Sequence, residues 1–117
     1  MFSFRVEYAI RVLIEIELRA QAGIAGVPAA WLKDICGGDA RGLAIVLHIL
    51  VRVGWITYDK ATYLYSGNVN IEEISIYDVC LQVEESLKAL PKPLQEDKVS
   101  MKLKNVFEDI MLSDLIL

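Results

Sequence analysis

Few residues of this chain are of a type that could do chemistry, and their spacing decides which kind. His48 is the one histidine. A general base or a metal ligand needs partners within reach, and no Cys, Asp or Ser stands beside it to supply one. Its sharper reading is a contact to a nucleic-acid phosphate or base, and its plainer one a half-exposed structural imidazole. Cys36 and Cys80 lie 44 positions apart, which is neither a metal nor a redox spacing. Both fall among apolar neighbours, as plain buried thiols do. Glu84 and Glu85 invite an acid–base reading, but adjacent helix positions point to different faces. The chain has no phosphate-cradling glycine loop and no nucleophile paired with a base. No catalytic activity, cofactor or metal is therefore expected. The remaining candidates are cationic: Arg5, Arg41, Arg52 and Lys60, which together with His48 could contact nucleic acid or could be ordinary solvated charges.

Most of these residues fall within Trp31–Tyr65, WLKDICGGDARGLAIVLHILVRVGWITYDKATYLY. A short helix is predicted to run to about Cys36, where Gly37-Gly38 breaks it. Asp39 can cap a second helix by accepting hydrogen bonds from the free N–H groups of its first turn, and Gly54 is a good stop because glycine tolerates positive φ. Trp55–Tyr58 and Thr62–Tyr65, rich in β-branched and aromatic residues around Asp59-Lys60-Ala61, predict a hairpin. Helix, tight turn, helix, hairpin is the order of a winged helix-turn-helix, which offers its second helix to a DNA major groove. Trp31 and Trp55 could wall an aromatic pocket, but each starts an element beside an apolar run, which favours core packing.

The rest of the chain frames this stretch. Ser3 can cap a helix from about Phe4 to Ala20, with Glu7, Arg11, Glu15 and Arg19 as a solvated stripe of i,i+4 pairs. Its apolar surface is wide enough for more than one neighbouring helix or for a second subunit. Pro28 suits the first turn of the next helix. After the hairpin, Ser75 begins a helix that should reach about Leu87 or Ala89, and Pro91-Lys92-Pro93 ends it. A last helix is predicted from about Leu94 to Met111, with Val99, Leu103, Val106, Phe107, Ile110 and Met111 along one side. The apolar tail after it should dock, and a partner subunit is a natural acceptor. The expected division is a winged helix-turn-helix domain over residues 1–90, then a linker and dimerisation helix over 91–117.

Composition fits a mainly α, single-core protein. The chain has 117 residues, 55% hydrophobic and 24% charged. Its longest strongly apolar uncharged run, Leu43–Val51, is far shorter than the roughly 18 residues of a membrane span. Arg5, Glu7 and Arg11 interrupt any signal-peptide core, so a cytoplasmic protein without membrane contact is expected. Residues 1–60 hold seven Lys/Arg against six Asp/Glu, whereas residues 61–117 hold five against ten. A duplex-binding module usually shows a basic footprint, so this balance argues against tight DNA binding.

Four stretches in order resemble the Rrf2 family of bacterial winged-helix transcription regulators. RVEYAIRVLIEI is similar to that family's opening EYAL-R-L helix through Glu7, Tyr8, Ala9 and Arg11. WLKDICGGDARGLAIVLHILVRVGW parallels its helix-turn-helix through Leu32, Gly37, Leu43, Leu47, Leu50 and Gly54. ISIYDVCLQVEES looks like its post-wing ITL-D-V-AVEG helix through Ile74, Ile76, Asp78, Val79 and Glu84. VFEDIMLSDLIL is similar to its dimerisation helix and closing segment. The resemblance implies a homodimer that reads double-stranded operator DNA with the second helix and the wing. It also implies, for many members, an iron–sulfur cluster held by three cysteines.

This sequence departs from the pattern in three places. Glu85–Lys98, where the cluster cysteines would stand, contains none, and cluster iron needs thiolate or a similarly basic ligand. The reading helix shows Ala44, Ile45, His48, Ile49 and Val51 where polar residues are usual, and Ile and Val cannot hydrogen-bond to base edges. The wing turn Asp59-Lys60-Ala61 is short, with Tyr63 in the place of a wing tyrosine. Two functions stay open: a homodimeric regulator that binds operator DNA weakly and without a metal cluster, or a winged-helix homologue turned to protein association through Ala44, Ile45 and Ile49. Operator, effector and partner identity are not written in the sequence.

Overall fold

A computed structural model describes residues 3–84 and 108–116. The first helix, α1 (Phe4–Gln21), is the element the others pack on. Val6, Ala9, Val12, Leu13 and Ile16 recur at steps of three and four residues and are all buried, a face wide enough to meet α2 (Ala29–Ile35), α3 (Ala40–Val53) and α4 (Ile76–Val83). On its solvent side the expected stripe forms two ion pairs, Glu7–Arg11 at 2.9 Å and Glu15–Arg19 at 2.7 Å. Ser3 does precede the helix, but its hydroxyl donates to the Glu84 carboxylate rather than capping the first turn.

The helix-turn-helix forms as the local chemistry dictates. α2 ends at Ile35, and Gly37 and Gly38 both take positive φ. Asp39 then caps α3, accepting the Gly42 N–H at 3.0 Å, and the Tyr8 hydroxyl of α1 donates to the same carboxylate at 2.9 Å. Gly42 is what lets these groups meet: a Cβ there would stand 2.4 Å from Asp39 Oδ2 and 2.7 Å from the Tyr8 ring. At the far end Gly54 has φ 90°, and the Trp55 N–H returns to the Leu50 carbonyl at 3.0 Å, closing the helix as a left-handed glycine does.

The hairpin differs from expectation in register and in strand number. Its strands are β2 (Ile56–Asp59) and β3 (Leu64–Gly67), with Asp59 opposite Leu64. The connection is Lys60–Tyr63, closed by a Tyr63 N–H to Asp59 carbonyl bond of 2.7 Å, with Tyr63 at φ 61°. A third strand, β1 (Val27–Pro28), pairs with β3 and makes the sheet order β1-β3-β2, antiparallel throughout. Pro28 thus stands at a strand end before α2 and not inside its first turn, and as an edge residue it can spare its missing N–H.

Beyond the hairpin a 3-10 turn (Ile71–Glu73) leads to α4, whose start is a capping box. The Ser75 hydroxyl accepts the Asp78 N–H at 3.0 Å, and the Asp78 carboxylate accepts the Ser75 N–H at 2.9 Å. α4 stops at Val83, short of the expected Leu87. The expected closing helix lies largely outside the described residues, with Val99, Leu103, Val106 and Phe107 among those not described. Its predicted end does fall within them and is not helical. Ile110–Leu112 runs antiparallel to Ile74–Ile76, the Ile76 N–H donating to the Ile110 carbonyl and the Leu112 N–H to the Ile74 carbonyl, both at 2.8 Å. Leu112 is fully buried in the same core as α1, and Ile110 packs against it. The tail therefore docks, as expected, but on its own chain. The fold is mainly helical with a small three-stranded sheet. Among the described residues no helix is long and apolar enough to cross a membrane.

Candidate nucleic-acid interface

The exposed side of α3 is narrower and more polar than its sequence implies. Gly42, Leu43, Val46, Leu47, Ile49 and Leu50 are buried. Arg41, Ile45, His48 and Arg52 are exposed, and at 100° per residue they lie within about 60° of arc. Their order gives a ridge with an arginine at each end, about 16 Å apart along the helix axis, and an imidazole between. Ala44 and Val51, also exposed, flank the ridge on one side.

A groove borders the ridge on each side. The first has a volume near 420 Å³ and is lined by Arg5 of α1 together with Ala44, Ile45, His48, Ile49 and Arg52. Three of the predicted contacts, Arg5, His48 and Arg52, thus meet in one cleft whose lining among the described residues includes no acidic side chain, and Arg41 shares their ridge. Such a cleft can hold a phosphate, with guanidinium groups as the donors. Lys60 is not part of it. It sits in the hairpin turn next to Asp59, whose carboxyl is held below the usual range by the Ala61 N–H and the Thr62 hydroxyl.

The second groove, near 520 Å³, lies between α2, α3 and the hairpin. Leu43 and Leu47 line it from α3, Lys33 from α2, and Tyr58 and Tyr65 from the wing. The two tyrosines are cross-strand partners with ring centroids 4.6 Å apart. Burial raises the Tyr65 hydroxyl above its ordinary pKa, and Tyr58 adds to the effect. Sequence reasoning missed Lys33 and this tyrosine pair. The alternation of Tyr58 with its neighbours was visible, but a hairpin register three residues out set it against Thr62. Tyr63, at the hairpin turn, is 70% exposed.

Other expectations need adjusting. Ile49 is 3% exposed against 40% for Ile45, so it belongs to the core and cannot join Ala44 and Ile45 in an apolar docking face. Trp31 is 43% exposed, with the Arg19 guanidinium 4.9 Å over its ring, where core packing was expected. Trp55 does pack on the core. Cys36 is buried, and burial raises its thiol; Cys80 is pushed up to about 11, again by burial first. Among the described residues no three His, Cys, Asp or Glu side chains gather where a metal could sit; Glu85–Lys98 lies outside them.

Two helices joined by a glycine turn, the second exposed along a ridge and followed by a hairpin, make a winged helix-turn-helix. Solved regulators share it over nearly the whole chain. CymR of Staphylococcus aureus superposes with a TM-score of 0.73 at 20% identity, covering 97% of this chain and 95% of that one. CymR of B. subtilis, described as its global cysteine regulator, gives 0.75 at 15% identity over 98% and 95%. IscR of T. potens gives 0.77 at 18% identity over 99% and 85%. The resemblance to the Rrf2 family therefore holds at the level of fold. No family model and no curated protein matches the sequence.

Proposed function

We propose that this chain is a DNA-binding transcription regulator of the Rrf2 type. In this reading it acts as a homodimer, binds operator DNA weakly, and carries no metal cluster. The observation that carries the reading is the ridge Arg41–Ile45–His48–Arg52 beside the Arg5 cleft, on a scaffold shared with solved regulators. The arginines position phosphates, and between them His48 and Ile45 face the bases, Ile45 through contact with thymine methyls at most. Affinity should therefore depend more on backbone than on sequence. The absence of cysteine from Glu85–Lys98 supports the reading without a cluster. Dimerisation is assigned to Val99, Leu103, Val106, Phe107, Ile110 and Met111, of which Ile110 also packs on the core of its own chain.

The test is fluorescence anisotropy of a labelled random duplex across salt concentrations. About three cations per subunit predict a slope of log affinity on log salt near −5 for a dimer, because each phosphate neutralised contributes about 0.9. Arg41→Ala with Arg52→Ala should flatten it by about 1 per cation lost in each subunit. No binding at tens of micromolar protein would overturn the proposal. The protein-docking alternative has lost Ile49 from its surface and keeps only Ala44 and Ile45.

A further inference from the structure

The groove between α2, α3 and the hairpin has the make-up of a small-molecule site. Its volume, near 520 Å³, falls within the range of ligand pockets, about 300–1,000 Å³. The floor is apolar, where Leu43 and Leu47 reach up from the core. Along the α2 side the wall is cut back, because Ala29 and Ala30 stand where longer side chains would fill the space. Facing them are Tyr58 and Tyr65, with ring planes inclined at 42°, Tyr65 half-buried and Tyr58 exposed. Among the described residues, the charged and titratable lining beyond the tyrosines is Lys33 and His48, and no acid lines the groove, in a chain whose net charge is −4.

We propose that this groove binds a small planar aromatic carboxylate, its ring between the leucine floor and the tyrosine pair and its carboxylate on Lys33. A flat ring suits a space walled by alanine methyls on one side and aromatic faces on the other. The ammonium of Lys33 selects an anion, and no acid among the described lining residues offsets that selection. His48 and Ala44 line both this groove and the Arg5 cleft, so an occupant would crowd the ridge. On the DNA-binding reading, which this second step rests on, the ligand and a duplex exclude one another.

The experiment titrates the full chain with naphthalene-2-carboxylate, following the probe by saturation-transfer NMR in the absence of DNA. A ligand of this size should show a Kd of about 1 mM or tighter. Naphthalene-2-carboxamide, uncharged and of equal shape, should bind at least about tenfold more weakly, and Lys33→Gln should erase that difference. Ala30→Leu, on an exposed helix position, should block both probes while leaving the thermal melt unchanged. Equal binding of the two probes, or no binding at 10 mM (about ten times the expected Kd), would overturn the proposal. Loss of the charge preference in Lys33→Gln decides the matter even if the leucine variant fails to fold. A competition arm with labelled duplex reports the second step alone. If the duplex never binds, the DNA reading fails and the probe titration still stands.

Discussion

At the scale of single residues, the most informative contrast is Ile45 against Ile49. They are four positions apart on one helix, and the first is 40% exposed while the second is buried at 3%. Ile49→Glu would bury an unpaired carboxylate, which a core does not tolerate without protonating it or opening. That variant should be insoluble or largely unfolded by circular dichroism. Ile45→Glu should fold normally and, on the proposed DNA-binding reading, lose DNA affinity, because it plants an anion between Arg41 and Arg52. The two cysteines give a second residue-scale expectation. With its thiol pushed up to about 11, Cys80 is thiolate in only about one molecule per thousand at pH 8, and thiolate is the reactive form. Burial raises Cys36 as well. Alkylation by iodoacetamide should be slow at both sites in the native protein and fast in denaturant. Rapid native labelling of either would show that its surroundings open.

Among the elements, α3 depends on a three-residue clasp at its start. Tyr8 and the Gly42 N–H both bond to Asp39, and the Gly42 hydrogen bond is the larger reason its carboxyl is held low, with Tyr8 second. A carboxylate depressed in the fold adds stability that is complete above its ordinary pKa of about 3.9. That contribution is lost as pH falls through the depressed value. The melting difference between the native chain and Asp39→Asn should therefore be constant near neutrality and shrink in acid. Gly42→Ala tests the clasp sterically. An exposed helical Gly→Ala stabilises by about 1 kcal/mol, but here the new methyl would strike Asp39 and Tyr8. The substitution should instead cost about 1–3 kcal/mol, read as a lower urea midpoint.

The same elements show where sequence was enough. Asp39, Gly54 and Ser75 marked helix ends correctly because caps are local: a side chain and a backbone N–H a few positions away. The wing register was hidden because Tyr63, not a glycine or asparagine, takes the left-handed position. β1 is two residues long and contains a proline, so it carried no strand pattern. On α3, the ridge could not be separated from the core by spacing alone. Ile45 and Ile49 both sit at the margin of the apolar face, and only the packing of α1 and α4 against α3 decides which is covered. The cluster of Arg5 with His48 and Arg52 was legible as a set of candidates, whereas its meeting in one cleft depends on how α1 crosses α3.

For the molecule as a whole, the question is how the tail serves both the fold and the proposed dimer. Leu112 is fully buried, and the segment holding it is tied to Ile74 and Ile76 by two backbone hydrogen bonds. Leu112→Ala should cost about 2–5 kcal/mol, the usual range for a leucine removed from a core. The loss should be the same at every protein concentration, since the contacts lie within one chain. Phe107, assigned to the dimer, should behave differently. If two chains associate through it, the native melting temperature rises with protein concentration, because association stabilises by mass action. Phe107→Ala should remove that dependence while leaving the limiting low-concentration melt near its native value. Melting curves over a hundredfold range of concentration separate the cases. A Leu112→Ala penalty that varied with concentration would mean that the tail docks across subunits in solution, and Phe107→Ala leaving the concentration dependence intact would place the dimer contact elsewhere. DNA affinity should follow the dimer and not the tail alone. On the proposed reading, two ridges would engage one duplex with a high effective concentration once the first is bound, so a Phe107→Ala chain left monomeric should lose affinity and about half of the salt slope.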